Sequence, residues 1–327
     1  MQKIVMKFRT EIDITPWHKP IDYSHNIVSL GSCFATNIAE RLSRYKFRVT
    51  ASPTGILFNP ASIASAVRDM VESRKATPEE LIMHNDTYLS YRFHSLLAGN
   101  TPMEAVERMN EALERGRAAL ATADIIIITL GTAWVYRLNS MGEVVANCHK
   151  QPARMFRREL LSVDAIVEAL EEILGHTSCR ILLTLSPVRH IGEGLEDNSL
   201  SKSLLRVAIA EVQRRHGERV DYFPSYEIMM DDLRDYRFYG DDLVHPTPMA
   251  VDYIAERFFA TAMSSDAKMV MSRVEEVVRA AEHRPTNPTS EAHRSFCRRQ
   301  LEAIAELRNV DLSEERAYFE RMLQINL

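Results

Sequence analysis

The chain has 327 residues, 46% of them hydrophobic and 26% charged, with a formal net charge of −5. Those proportions suit one large packed core, alone or with an appended piece, and exclude a disordered or fibrous chain. The slight negative charge gives no general attraction to nucleic acid or anionic lipid, and no apolar stretch approaches the length of a membrane span. The first residues, MQKIVMKFRTEIDI, carry Lys7, Arg9, Glu11 and Asp13 where a signal peptide needs an unbroken apolar region, so a cytoplasmic protein is expected.

Taken in chain order, strands are predicted at 26–30 (NIVSL), 46–50 (KFRVT), 124–131 (DIIIITLG), 180–187 (RILLTLSP) and 220–223 (VDYF). Their interiors are apolar without alternation, as expected of strands covered on both faces. Helical patterns fall between them at about 35–45, 60–74, 103–121, 163–175 and 200–216. This rhythm predicts an α/β fold, a parallel sheet with helices on both sides. The stretch WVYRLNSMGEVVANC reads as a hairpin turning at 139–142, inserted after the central strand. Past HPTPMAVDYIAERFF only helical patterns remain, at about 266–283, 290–308 and 312–325, broken by RPTNPTS at 284–290. The expected division is therefore an α/β domain over 1–262 and a helical extension over 263–327, the latter packing either on the core or on another subunit, where it could mediate self-association.

Ligands of an open parallel sheet bind beyond the carboxyl ends of its strands. That rule singles out Gly31-Ser32-Cys33, the loop 52–60, Gly131-Thr132-Ala133-Trp134, and Ser186-Pro187-Val188-Arg189-His190. The turn YGDDLVHPTP at 239–248, ahead of the domain's last helix, joins them. A serine at a helix start is ordinarily a cap for an orphan backbone N–H. At Ser32 the alternative is a nucleophile, which needs a base, an orienting acid and donors for an oxyanion. Asp242 and His245 are spaced so that the carboxylate can hold the imidazole in the tautomer that accepts a serine proton. A solvated acidic loop beside an unremarkable histidine is the competing reading. Cys33 is the rival nucleophile, although neighbouring residues at a helix start point in different directions, and a thiol packed beneath the loop is preferred.

The string GSCFA at 31–35 resembles the motif that names the GSCFA family, which is itself similar to the SGNH, or GDSL-like, esterases and acyl hydrolases. The resemblance continues through GILFNP (55–60), TLGTAWVY (129–136), EVVANCHK (143–150), LTLSPVRH (183–190), LSKSLLR (200–206) and YFPSYEIMMDDLRDYRFYGDDLVHP (222–246). It implies a flavodoxin-like three-layer α/β/α sandwich with Ser32 as nucleophile and Asp242 and His245 completing a triad. The backbone N–H groups of Ser32 and Gly55 would form the oxyanion hole. Where the esterases carry an asparagine this chain reads Gly131-Thr132-Ala133-Trp134, so Thr132 or Asn59 is the candidate third donor.

Around this centre, His94, Trp134, Asn147, His149, Arg189 and His190 are candidates for substrate binding. An aromatic and amide cluster suits a sugar face, and a plain packing role is the alternative for each. The four cysteines include no CxxC pair, no metal-binding motif is present, and GEG at 192–194 lacks the lysine and serine spacing of a phosphate loop, so neither metal nor cofactor is expected. The expected function is a serine-dependent esterase or acyl hydrolase removing an O-acetyl or short acyl group from a carbohydrate-type substrate. The alternatives are an O-acyltransferase with the same triad and a non-catalytic glycan- or partner-binding module.

Overall fold

The computed structural model describes residues 9–17 and 19–325; the ends of the 1–262 and 263–327 division, and His18, lie outside the described residues. Strands β1 (Asn26–Gly31) and β2 (Arg48–Ala51) flank helix α1 (Cys33–Arg44), and α2 (Pro60–Val71) follows. A hairpin, β3 (Leu81–His84) and β4 (Thr87–Ser90), leads to α3 (Pro102–Ala121) and β5 (Ile125–Leu130). Three short strands, β6 (Trp134–Leu138), β7 (Val144–Val145) and β8 (Phe156–Leu160), precede α4 (Val163–Gly175), β9 (Arg180–Leu185) and α5 (Leu195–His216). β10 (Val220–Phe223), the single turn α6 (Ser225–Glu227) and α7 (Pro248–Ala262) come next, and α8 (Ser265–Glu282), α9 (Glu291–Glu306) and α10 (Ser313–Gln324) follow.

The central sheet is parallel throughout, in the order β10-β9-β5-β1-β2. This is the doubly wound arrangement in which the winding reverses beside β1. The isoleucine run explains why β5 lies at its centre. Ile125 and Ile127 face a core shared with α1 and α7, while Ile126, Ile128 and Leu130 face one shared with α2, α3, α4 and α5. A strand alternating its side chains between two apolar layers must be apolar at every position.

Two features departed from expectation. Between the predicted 60–74 and 103–121 helices, where no element is predicted, lies the β3–β4 hairpin, turned by Asn85 and Asp86 at φ of 49° and 56°. Both residue types tolerate that left-handed geometry, which a two-residue hairpin loop requires. The predicted 134–148 hairpin is two strands of a three-stranded antiparallel sheet, β7-β6-β8. Its third member, FRREL, is half-exposed and highly charged, so hydrophobic patterning does not reveal it.

The three C-terminal helices bury their apolar faces against α1 and α7 of the same chain, with Val274, Val277, Cys297, Ile304, Leu312 and Phe319 in that shared core. Charged contacts border the seam: Arg44 pairs with Glu282 at 2.6 Å and Lys46 with Glu315 at 2.7 Å. No helix among the described residues is long and apolar enough to cross a membrane.

Candidate active site

The winding reversal lies between β1 and β5, so the loops leaving these strands open a crevice at their carboxyl ends. Gly31 closes β1 at φ +125°, paired with Thr129, and a Cβ there would come within 2.2 Å of the Thr129 carbonyl oxygen. Only glycine permits this approach. The chain then bends at Ser32 into α1. Ser32 is fully buried, its side chain caps no backbone N–H, and its Oγ has no hydrogen-bond partner. The ordinary capping role is therefore not the one it fills, and an unpaired buried hydroxyl needs a reason.

The β5 loop sits opposite. The Gly131 and Thr132 amides both donate to the Phe58 carbonyl, at 2.7 and 3.0 Å. A Cβ at Gly131 would meet His190 Nε2 at 3.0 Å and the Ser32 Cβ at 3.4 Å, so the absence of a side chain at Gly131 lets serine and histidine both pack closely against it. His190 Nε2 is likewise buried without a partner. The backbone N–H of His190 donates to Asn198 Oδ1 at 2.9 Å, and its ring meets Phe58 edge-on. Burial, with Lys202 and His245 nearby, pushes this imidazole down to about 4, so the ring is neutral at physiological pH.

Lys202 reaches the same region from α5. Its Nζ donates to the carbonyls of Gly131 and Ser186, both at 2.7 Å, tying the β5 and β9 loops together. Complete burial lowers this ammonium to about 7. Nothing in the expected site included Lys202. The visible signal was on α5, where Asn198, Ser201 and Lys202 join Leu205 on the buried face, so polar residues hold positions that packing alone would fill with apolar ones.

Asp242 and His245 form a pair. Asp242 Oδ2 lies 2.7 Å from His245 Nδ1, while Oδ1 accepts the amides of Val244 and His245 at 2.9 and 3.0 Å. Those amides and the ring draw the carboxyl down to about 2. Leu243 between them adopts φ +57°, the bend that lets the carboxylate turn back onto the histidine. The loop is attached to the β9 loop, where the Arg189 amide donates to the Val244 carbonyl at 3.2 Å. His245 is exposed, and no hydrogen bond joins its ring to Ser32 in this conformation.

The other expected residues divide clearly. The Ser32 amide donates to Thr129 O at 3.0 Å and that of Gly55 to Ser52 O at 2.8 Å, so both are engaged here. The Thr132 hydroxyl lies 3.1 Å from Ser201 Oγ and accepts the Trp134 amide, a closed network. Asn59 caps α2 through Oδ1, which accepts the Ser62 amide at 2.8 Å. Phe58, Asn59, Thr132, Trp134, Asn147 and His190 line one cleft of about 420 Å³. Arg158 covers a face of the Trp134 ring at 3.7 Å, so that face is not open for stacking. His94 packs under Gly55, its imidazole lowered by burial. His149 is buried with Nε2 2.8 Å from the Ser90 carbonyl, and Asn147 Oδ1 accepts the His149 amide. Arg189 stacks over Tyr239 at 3.9 Å. Cys33 opens α1 half-exposed, its thiol raised by burial against the opposing pull of two backbone N–H groups and Lys202. Among the described residues no cluster of three histidine, cysteine, aspartate or glutamate side chains could hold a metal ion.

Fold and site together define a doubly wound α/β protein with a cleft beside the point where the winding reverses, lined in part by the loops following β2, β5 and β9. The chain belongs to the GSCFA family. The model of that family matches residues 26–258, and the model described as GSCFA domain protein, C-terminal domain, matches 274–325. No curated protein matches the chain.

Proposed function

We propose that this chain is a serine-dependent esterase or acyl hydrolase of the SGNH type, acting on an O-acetyl or short acyl ester of a carbohydrate. The observation that carries the reading is the buried, unpartnered Ser32 hydroxyl packed against Gly131, in a chain whose 239–248 loop holds an Asp242-oriented imidazole. In the proposed cycle Ser32 Oγ adds to the ester carbonyl and His245 takes its proton. His245 then protonates the departing alcohol, and afterwards activates the water that releases the acyl group. Asp242 keeps Nδ1 protonated and the ring oriented. The 239–248 loop must close on the crevice as substrate binds, since catalytic hydrogen bonds commonly tighten only in the complex. The cleft beside Asn59 and Trp134 takes the acyl group or the first sugar ring; the sugar itself rests on the family resemblance. Four unpaired cysteines suit a reducing compartment, and we place the activity in the cytoplasm.

The test is hydrolysis of p-nitrophenyl acetate and a panel of acetylated sugars by wild type, Ser32→Ala, His245→Ala and Cys33→Ala. Loss in the first two variants, with Cys33→Ala active, supports the reading. Equal release by all four proteins overturns it, and loss in Cys33→Ala alone moves the nucleophile to the half-exposed thiol. Transfer of the acyl group to an added polyol in preference to water assigns an O-acyltransferase. A folded wild type that binds glycans without turnover assigns a binding module.

A further inference from the structure

An acyl-transfer site needs donors aimed at the oxygen where negative charge develops, and here the two amides expected to supply them are occupied. The Ser32 N–H is held by Thr129 O, the Gly55 N–H by Ser52 O, and the Thr132 hydroxyl by Ser201 and Trp134. One unpartnered ring nitrogen lies against Gly131, as the serine does. His190 Nε2 and the Ser32 Cβ both lie within 3.4 Å of the point where a Gly131 Cβ would stand, and neither Nε2 nor Ser32 Oγ has a partner. Two unpaired buried polar atoms beside one glycine, with His190 also lining the adjoining cleft, call for a polar partner from outside the chain.

We propose that His190 is a catalytic residue whose Nε2–H donates to the carbonyl oxygen of the bound ester as Ser32 adds to it. The inference rests on the acyl-transfer reading of this site. In the step, a bond forms between Ser32 Oγ and the carbonyl carbon, and the C=O π pair moves onto oxygen. The serine proton goes to His245, while the His190 proton stays on Nε2 and only its hydrogen bond strengthens. His190 suits a donor better than a base. Among the described residues no carboxylate pairs with its ring, and its depressed basicity leaves it neutral, whereas His245 is held by Asp242. A neutral imidazole donates without carrying charge into the buried crevice, and its place is fixed in advance by Asn198 on its backbone and Phe58 against its ring.

The experiment compares His190→Ala, His190→Leu and His190→Gln with wild type in kcat, KM, melting temperature and affinity for an arylboronic acid, a mimic of the tetrahedral adduct. Alanine and leucine are expected to lower kcat by about 10²–10³-fold with KM nearly unchanged, the signature of a donor used only in the transition state. Boronate affinity should fall with kcat. Glutamine, whose amide N–H reaches near the Nε2 position, should restore most of both. Wild-type kcat in the leucine variant overturns the proposal, as does a loss that glutamine shares in full or that falls on KM alone. If Ser32→Ala is dead while the His190 variants are not, the acyl-transfer reading survives and the donor assignment fails. If wild type turns over no ester, both fall.

Discussion

Gly131→Ala perturbs the close packing of Ser32 and His190 on which the proposed chemistry depends. Its backbone is not in the left-handed region, so alanine meets no conformational penalty there and acts only through its methyl group. That methyl would lie 3.0 Å from both His190 Nε2 and the Phe58 carbonyl oxygen and 3.4 Å from the Ser32 Cβ. Contacts so short require the neighbours to retreat by a few tenths of an ångström. The expected stability cost is that of mild overpacking, about 1–3 kcal/mol, a fall of several degrees in Tm for a chain of this size. The functional cost should come from the displaced His190 ring and Ser32 side chain. Misplacement by about 1 Å is worth about 10²-fold, so a retreat of a few tenths of that should lower kcat/KM on p-nitrophenyl acetate by about 3–10-fold in a protein that still melts cooperatively. The two readouts are a thermal melt and steady-state ester hydrolysis. A folded Gly131→Ala with wild-type kcat/KM would refute the claim that catalysis depends on how Ser32 and His190 pack about Gly131.

Other perturbations separate the parts of the account. Asp242→Asn should leave Tm nearly unchanged, since both members of the pair are exposed, yet lower kcat by about 10³–10⁴-fold by favouring the wrong histidine tautomer; unchanged kcat would dismiss the pair from catalysis. Lys202→Met should show a pH-dependent stability difference in urea titrations. The buried ammonium releases its proton near pH 7 when folded but near 10.5 when unfolded, so wild type should gain on the variant as pH rises from 7 to 10. A difference flat with pH would mean that the amine keeps its ordinary affinity for protons. Phe319→Ala removes a fully buried ring from the seam between α10 and the α/β core, and should cost about 3–5 kcal/mol in denaturant titrations with kcat/KM unchanged in the folded fraction. Lost activity in that folded fraction would show that the C-terminal helices support the crevice as well as the fold.

The parts of this molecule that announce themselves in the sequence depend on local pattern. Ile125–Ile128 can be buried on both faces only as a central parallel strand, and Gly31-Ser32-Cys33 marks a strand-to-helix bend at its carboxyl end. The Asp242-x-x-His245 spacing likewise needs only one tight turn to bring carboxylate and ring together. What escaped notice depends on long-range contact. FRREL becomes a strand because Trp134 to Leu138 offers it an edge, despite its charge. The engagement of the Ser32 and Gly55 amides depends on Thr129 and Ser52, and the link between Lys202 and Gly131 spans 71 positions. The Asn85-Asp86 turn is the exception, a local signal that was present and passed over.

The most direct measurement is to trap the acylated protein. Wild type would be mixed rapidly with p-nitrophenyl acetate and quenched in acid, and its peptides mapped by mass spectrometry. The account predicts a transient acyl group on Ser32 that builds up in His245→Ala-sensitive fashion and disappears on standing at neutral pH. An acyl group carried by Cys33, or turnover with no adduct at either residue, would contradict it.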